Sequence, residues 1–350
     1  MNPPGSLIMM PLGVLYGAVT RARLAAYRSG LFSVSRLPVP VISVGNITTG
    51  GTGKTPLVDW VCRVLADDGH KPCVLTRGYR RSNPEIQVVV SDGTRVLADA
   101  RQSGDEPFLL ARNLLGVAAV IANADRVAAG HWAIQNLGTS AFVLDDGFQH
   151  LRISRDLDIV TIDATNPWGD GALLPHGRLR EEMSGLSRAD CIVITRAEQI
   201  ESLDYLKKSI QRYTSAPILT SRMVTSRLRT IQGDVLDKNK FSSEPVGAFC
   251  GIGNPVSFFT HLERQGAQLM FTYAYPDHHA YKQFDVDQLA AKAKAAGATA
   301  LVTTAKDAVK LNALSVALSC YVLEIEVELD QSDQLIELIR NRLARFGRGR

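Results

Sequence analysis

The segment 43–56, SVGNITTGGTGKTP, places glycines, a lysine and a threonine directly after an apolar run. A strand that ends in such a loop and continues as a helix binds nucleotide phosphates, because backbone N–H groups at the helix N-terminus point at the phosphate oxygens. The usual P-loop pattern begins with a glycine where this chain has Thr48. We predict an ATP-binding loop formed by Thr48, Thr49, Gly50, Gly51, Thr52, Gly53, Lys54 and Thr55.

Apolar strands and helices alternate along the rest of the chain. Runs such as LDIVTIDA (157–164) and DCIVITRA (190–197) are rich in Val and Ile at successive positions, which is typical of parallel strands covered on both faces. The sequence predicts an α/β fold, with a P-loop NTPase-type, mostly parallel sheet domain and a smaller α/β second lobe joined to it by a two-stranded β connector. The predicted boundaries are 1–30 for an N-terminal membrane-anchoring helix, 31–214 for the P-loop kinase core, 215–245 for the connector and 246–350 for the C-terminal lobe.

The composition is that of an ordinary globular protein of 350 residues, with 45% apolar and 21% charged residues. A net charge of +4 suits anionic substrates or membrane surfaces, but the basic blocks of a nucleic-acid binder are missing. The five cysteines are scattered without a CxxC pair, so we expect reduced thiols in a cytosolic protein. We predict neither a nucleic-acid partner nor an obligate protein partner.

The N-terminus combines an almost uncharged run, Leu7 to Val19, with the following Arg21, Arg23 and Arg28. The run is shorter than the roughly 20 residues of a spanning helix, and its charge follows the apolar part, unlike that of a signal peptide. An apolar helix followed by arginines is typical of an interfacial membrane anchor. The alternative is a helix that packs on the protein's own core.

Two acidic segments follow predicted strands or open predicted helices. AFVLDDGFQH (141–150) ends a strand in Asp145 and Asp146, which is where P-loop folds hold Mg²⁺, although a solvated turn is the alternative. Asp105 and Glu106 begin a helix, where negative charge is favourable whether or not it has a function.

The segment YPDHHAYKQFD (275–285) follows a strand of the predicted second lobe. Asp277, His278 and His279 are candidate metal ligands, an acid–base pair or a capped turn. A zinc ion shared by the adjacent histidines is disfavoured because their side chains point in different directions. An imidazole paired with a carboxylate is the arrangement that proton transfer uses.

Basic and polar side chains near the predicted strand ends suit an anionic substrate, or simply form solvated loops. This set of candidate substrate-binding residues comprises Arg80, Gln149, His150, Arg178, Arg180 and Glu181.

Seven motifs taken together resemble the tetraacyldisaccharide 4′-kinases, inner-membrane enzymes that phosphorylate the lipid A precursor in Gram-negative bacteria. They occur in family order and cover most of the chain, and the Thr48 departure lies within that family's own pattern. The motifs are SVGNITTGGTGKTP, LTRGYRR, GDEPFLLA, VLDDGFQH, DGALLPHGRLRE, FCGIGNP and YPDHHAY.

The resemblance implies a role for each candidate residue. Asp105 with His278 would activate the sugar hydroxyl that attacks the γ-phosphate, and Lys54 would hold the phosphates. The set implied for Mg²⁺ is Thr55, Glu106 and Asp145 or Asp146. It further implies a lipid A disaccharide precursor as substrate, ATP and Mg²⁺ as cofactors, and a place on the cytoplasmic face of the inner membrane, held peripherally or monotopically by the N-terminal helix.

Two other functions stay open when each motif is taken alone: a nucleotide-gated ATPase switch on the membrane, and a P-loop kinase of a soluble metabolite. A GTPase is disfavoured, because GTPases recognise guanine with an NKxD motif after a late strand and this chain has ITRAEQ (194–199) there. A nucleotide-gated ATPase switch on the membrane would not need the Asp-His-His segment. A P-loop kinase of a soluble metabolite would not need the apolar N-terminus.

Overall fold

One continuous sheet of thirteen strands runs through the computed structural model, which describes residues 6–238, 240–311 and 313–348. In chain order the strands are β1 (Val41–Asn46), β2 (Pro72–Thr76), β3 (Val88–Ser91), β4 (Ala119–Ala122), β5 (Ala141–Asp145), β6 (Leu157–Asp163), β7 (Cys191–Thr195), β8 (Ile218–Thr230), β9 (Val235–Leu236), β10 (Pro245–Cys250), β11 (Gln268–Ala274), β12 (Ala300–Thr304) and β13 (Ser319–Leu329).

Helices connect these strands along most of the described chain. They are α1 (Ser6–Arg28), α2 (Lys54–Asp67), α3 (Ala100–Ser103), α4 (Asp105–Asn113), α5 (Arg126–Leu137), α6 (Asp204–Gln211), α7 (Pro255–Arg264), α8 (Gln283–Ala296), α9 (Ala305–Ala308) and α10 (Ser332–Arg348).

The strand order places the P-loop at the centre of the sheet. The order is β11-β10-β12-β13-β8-β7-β6-β1-β5-β2-β4-β3, with β9 paired to β8. Most neighbours are parallel, whereas β3–β4, β8–β9 and β8–β13 are antiparallel. Strand β1 connects onward to β2 on one side, and its neighbour β6 connects onward to β7 on the other side. Ligands bind at the carboxyl ends of strands at such a switch point. The predicted fold class is confirmed.

Strand β8 joins the two halves of the sheet. Its first residues, Ile218–Thr220, pair parallel with β7, and the stretch 221–230 pairs antiparallel with β13. We call β1–β7 the N-terminal half and β10–β13 the C-terminal half. The segment predicted as a connector is therefore a thirteen-residue strand within the sheet, with β9 as its short partner. The domain boundaries stay predictions.

Alternating side chains of the parallel strands pack against helices on both faces. On one face Ile42 and Val143 belong to a core that also contains α2, α4 and α10. On the other face Val41 and Phe142 pack with α5. Two further clusters fill the C-terminal half, one on α7 and one on α8. The double cover explains why apolar residues occupy successive positions in these strands and not only alternate ones.

The last helix returns to the N-terminal half. Leu335 and Ile339 of α10 are fully buried in the same core as α2. Arg340 also forms an ion pair with Asp68, at 2.6 Å. The chain after β13 is thus packed against the P-loop side of the sheet.

Helix α1 exposes part of its apolar surface. The side chains of Leu12, Val14, Leu15 and Val19 are between 47% and 65% exposed. Across the ranges that the structure describes, no helix is both long and apolar enough to cross a membrane. All five cysteines are buried and free of disulfides, in agreement with the expectation of reduced thiols.

Candidate active site

A cleft of about 1570 Å³ lies at the carboxyl ends of the central strands. The P-loop and the end of β5 form one wall, and loops of the C-terminal half form the other. Tyr16, Thr20 and Arg23 of α1 line its edge. The cleft therefore contains candidate residues from the N-terminal helix and from both halves of the sheet.

Hydrogen bonds hold the P-loop in shape without a ligand. Nδ2 of Asn46 donates to the Thr48 carbonyl at 2.7 Å and to the Thr52 hydroxyl at 2.9 Å. The Thr195 hydroxyl donates to the Thr52 carbonyl at 3.0 Å. Gly53 takes the left-handed conformation, with φ at 77°, directly before α2 begins. The helix N-terminus is thereby aimed at the cleft, as phosphate binding requires.

Arg178 supports the loop from outside. Its carbonyl accepts from the Thr49 N–H at 2.7 Å, and its guanidinium lies against Gly50, where a Cβ would come within 2.6 Å of Nη2. The same guanidinium reaches the Gly253 carbonyl at 3.4 Å. Arg178 thus connects the P-loop to the C-terminal half. Thr48 is buried beneath the loop and lines a smaller cavity of about 520 Å³ on that side.

Two cations hold Asp146 at the mouth of the P-loop. Nη1 of Arg180 contacts the two carboxylate oxygens at 2.7 and 2.6 Å, and Nζ of Lys54 lies 3.4 Å from Oδ1. Burial opposes ionisation of Asp146, but Lys54 and Arg180 outweigh it and hold its pKa well below the usual range. The Lys54 ammonium group, which phosphates attract, is thus paired with Asp146.

Asp145 lies deeper, at the end of β5. Its Oδ2 accepts from the Thr76 hydroxyl at 3.1 Å, and its side chain is almost fully buried. Burial, with the nearby Glu106 and Asp146 carboxylates, raises its pKa to about 6. A carboxylate in such a place is costly to ionise unless a cation joins it.

The described residues contain no group of three or more His, Cys, Asp and Glu side chains arranged to hold a metal ion. A magnesium ion in a phosphoryl-transfer site usually takes only one or two carboxylates, together with phosphate oxygens and water. The residues present fit that donor set. Glu106 and Asp146 are close enough to Asp145 for their charges to raise its pKa, and the half-buried Thr55 lines the same cleft.

Asp105 and His278 are in contact although 173 positions separate them in sequence, and of the two His278 lines the cleft. Nδ1 of His278 lies 3.3 Å from Oδ2 of Asp105, and both side chains are largely buried. The ring also lies 5.5 Å from the ring of Tyr79. One carboxylate at the start of α4 is therefore paired with an imidazole from the C-terminal half.

A lysine that the sequence did not single out lies beside this pair. Nζ of Lys306 lies 2.8 Å from Glu106 Oε1, 3.3 Å from Asp277 Oδ1 and 3.3 Å from His278 Nε2. Burial opposes the charge of Lys306, but Glu106 and Asp277 outweigh it and raise its pKa. We call Asp105, Glu106, Asp277, His278 and Lys306 the cross-cleft cluster.

Four of the six predicted substrate-binding residues line the cleft, whereas Arg178 lines the smaller cavity and Glu181 lines neither. The four are Arg80, Gln149, His150 and Arg180. Gln149 donates to Asn46 O at 2.8 Å and to Glu181 at 2.7 Å, which ties the β5 turn to the P-loop strand. Arg80 donates to the carbonyls of Asp277 and His278 at 3.3 and 3.2 Å.

His150 contributes an imidazole ring to the cleft. Its ring lines the cleft, and its Nε2 is buried without a hydrogen-bond partner. Burial, followed by the surrounding arginines, lowers its pKa to about 3. The imidazole is therefore neutral at physiological pH, and Nε2 is available to a ligand.

Backbone strain is concentrated in the cleft. Among the described residues, five that are not glycine have positive φ, and four of these line the cleft. Such conformations cost on the order of 1–3 kcal/mol each and persist where the surroundings enforce them. The four are Arg80, Asp146, Arg196 and His278.

The sequence did not single out several residues that line the cleft. Arg126 is buried in the cleft wall and donates to the carbonyl of Asp145 at 3.0 Å. Asn254 lines the smaller cavity beside the P-loop instead, and it donates to Asp163 at 2.9 Å. The motif FCGIGNP contains Asn254, which was one available signal. Lys306 follows a predicted strand, as many site residues do, but nothing in its neighbourhood marked it.

The fold and the P-loop define the class: a nucleotide-binding α/β protein of the P-loop type. A family model for tetraacyldisaccharide-1-P 4′-kinase matches residues 5–344. The chain belongs to that family.

Relatives named tetraacyldisaccharide 4′-kinase match the chain over nearly its whole length. The protein of Pelobacter propionicus is 38% identical, with 96% of this chain and 92% of the relative covered. The protein of Geobacter metallireducens is 41% identical over 87% of this chain and 88% of its own length. The chain is therefore similar in extent to these relatives.

A solved structure shares the fold. It is a crystal structure of the family member from Aquifex aeolicus described as being in complex with ATP, with a TM-score of 0.77 and 30% identity, covering 95% of this chain and 98% of that one. The predicted assignment to a lipid A precursor 4′-kinase family is confirmed.

Proposed function

We propose that this chain transfers the γ-phosphate of ATP to the 4′-hydroxyl of a tetraacyldisaccharide 1-phosphate, with Asp105 and His278 as the acid–base pair. The observation that carries the proposal is their 3.3 Å contact, because His278 lines the same cleft as the P-loop. The residue roles and the membrane setting that follow are parts of the same proposal.

The nucleotide half of the reaction uses the P-loop. Backbone N–H groups of residues 50–55 receive the β- and γ-phosphate oxygens, and Lys54 leaves Asp146 to neutralise them. Mg²⁺ would be held by Thr55 with Asp145, and by Glu106 or Asp146, and it would offset charge on the transferring phosphoryl group. Arg180 keeps its contact with Asp146 while Lys54 is occupied.

The acceptor half uses Asp105. The 4′-hydroxyl gives its proton to the Asp105 carboxylate as the oxygen bonds to the γ-phosphorus and the bond from phosphorus to the bridging oxygen breaks. ADP leaves, and His278 holds the carboxylate in place. One positioned base contributes about 10²–10⁴-fold to such a reaction.

Water must be kept from the γ-phosphate, because it would otherwise compete with the sugar. The base comes from the N-terminal half, and the histidine comes from the C-terminal half. The pair is complete only while the two walls are together, which links transfer to the closed cleft.

Membrane attachment would place this cleft beside the lipid substrate. Helix α1 lines the cleft edge through Tyr16, Thr20 and Arg23, and it exposes Leu15 and Val19 to the surroundings. An amphipathic helix of this kind lies in the headgroup region with arginines at anionic groups. The acyl chains would remain in the bilayer while the sugar enters the cleft. We place the enzyme on the cytoplasmic face of the inner membrane, where ATP is present.

The direct test is transfer of labelled phosphate from ATP to tetraacyldisaccharide 1-phosphate in mixed micelles with Mg²⁺. Wild type should produce labelled lipid, and Asp105→Ala should produce at least about 10²-fold less at unchanged ATP affinity. As a matched control, Asp99→Ala removes an acidic helix cap just outside the cleft and should retain transfer. ATP hydrolysis that produces no labelled lipid would show that the proposed function is wrong.

A further inference from the structure

The position of Lys306 is fixed by its own turn rather than by the residues it contacts. The Thr304 hydroxyl accepts from the Asp307 N–H at 3.1 Å and donates to its carboxylate at 2.7 Å. The Gly251 N–H donates to the same buried carboxylate at 3.0 Å. The β12–α9 turn is therefore rigid where Lys306 leaves it, and the side chain is only 15% exposed.

From this turn the ammonium group faces three partners at once. Two are carboxylates, Glu106 at 2.8 Å and Asp277 at 3.3 Å. The third is Nε2 of His278, at 3.3 Å. An ammonium group has three N–H donors and no acceptor, so each partner must offer a lone pair.

That requirement decides where the imidazole carries its proton. Nε2 must accept from Lys306, so in the neutral ring the hydrogen is on Nδ1. Nδ1 lies 3.3 Å from Oδ2 of Asp105, and the N–H can donate to it. With the other tautomer, Nε2–H would face an ammonium group and Nδ1 would face a carboxylate, so both contacts would be lost.

We propose that Lys306 is a positioning residue that selects the Nδ1–H tautomer of His278 and thereby directs its hydrogen bond to Asp105. The inference rests on the proposed function, because it assigns a purpose to the Asp105–His278 pair. The proposal also gives Asp105 and His278 different roles. The hydroxyl proton goes to the second carboxylate oxygen of Asp105, and His278 orients that carboxylate without taking the proton.

The tautomer can be observed without turnover. The full chain, labelled with ¹⁵N-histidine in detergent micelles, gives long-range ¹H–¹⁵N correlations in which a protonated and an unprotonated ring nitrogen are distinct. The His278 signals are those absent from His278→Gln. We expect protonated Nδ1 in wild type, and a shift toward Nε2–H in Lys306→Met.

Lys294→Met provides the matched control, because Lys294 is exposed on α8 and outside the cleft. It should leave both the tautomer and the kinetics unchanged. Lys306→Arg keeps a pure donor and should retain the Nδ1–H tautomer. If Lys306→Met does not fold, the wild-type and Lys306→Arg spectra still decide the question.

Kinetics give a second readout. Lys306→Met should lower kcat by about 10²-fold, with KM for ATP changed less than threefold, because a misdirected base acts on the chemical step. Protonated Nε2 in wild type, or a tautomer that Lys306→Met leaves unchanged, would overturn the inference. Failure of the proposed function would look different: wild type would transfer no phosphate to the lipid, whatever tautomer His278 has.

Discussion

The two walls of the cleft are built in different ways. In the P-loop wall, neutral hydrogen bonds hold the loop to its own strand, from Asn46 to Thr48 and Thr52, and to β7, from Thr195 to Thr52. The cross-cleft cluster is assembled from α4, the β11–α8 loop and α9, and charges hold it together. We infer that the first wall binds phosphate whatever the state of the cleft, whereas the second acts only when it is closed.

The largest effect should come from the P-loop wall. Lys54→Met removes the ammonium group that meets the phosphates, and we expect kcat/KM for ATP to fall by about 10³-fold or more. ATP affinity, measured by equilibrium binding, should fall as well. Lys71→Met, at an exposed lysine beside the same domain's β2, should behave as wild type. Normal ATP binding by Lys54→Met would remove the distinction between the two walls.

The contrast also explains what the sequence could predict. The P-loop and the parallel strands around it are local patterns, and β1, β5, β6 and β7 were expected from their apolar runs. The motif residues Asp105 and His278 were each ambiguous, since a carboxylate at a helix start and a histidine in a turn have ordinary structural explanations. Their pairing is a property of the folded chain.

Other features lay beyond the sequence because they depend on distant partners. Strand β8 was expected to belong to a two-stranded connector, but its main partner is β13, about a hundred residues later. Helix α6 was not predicted, since its eight residues bury only Leu206 and Ile210. Lys306 was missed because an ion pair between residues 200 positions apart leaves no local pattern.

The next effect concerns the cross-cleft cluster. His278→Gln should lower kcat by about 10²-fold while ATP affinity stays within twofold of wild type, because the histidine positions the base and does not touch the P-loop. Single-turnover rates with excess enzyme measure the first quantity, and equilibrium binding measures the second. An equal loss in both would mean that the second wall also binds nucleotide.

Helix α1 should affect neither wall directly. Replacing Val14 and Leu15 together by serine removes apolar surface, and fully burying one such side chain contributes about 1.5–3 kcal/mol. Partition into anionic vesicles, measured by flotation, should fall by about 10-fold or more, with ATP binding unchanged. Tyr205→Ser with Phe284→Ser changes two exposed apolar residues elsewhere and should not alter partition.

The smallest effect is on stability and comes from Asp145. Its folded-state pKa of about 6 lies above the usual 3.8, so the folded chain binds the proton more tightly. Stability in the absence of metal therefore falls as pH rises from about 4 to 6, and the cost is complete above that window. Asp145→Asn keeps an acceptor for Thr76 and loses the charge, so at pH 7.5 it should melt roughly 2–6 °C higher than wild type.

Two comparisons check this explanation of Asp145. At pH 4 the melting temperatures of wild type and Asp145→Asn should converge, because both side chains are then neutral. Added Mg²⁺ with ATP should raise the melting temperature of wild type more than that of the variant. A variant that is less stable than wild type at pH 7.5 would contradict the assigned cost.

The central claim is that Asp105 and His278 act as one unit across the cleft, and a double-mutant cycle tests it most directly. Single-turnover phosphate transfer to tetraacyldisaccharide 1-phosphate would be measured for wild type, Asp105→Asn, His278→Gln and the double variant. We predict that the double variant is no more than about threefold slower than the slower single variant, because either change already disables the pair. Losses that multiply would show that the two residues act independently.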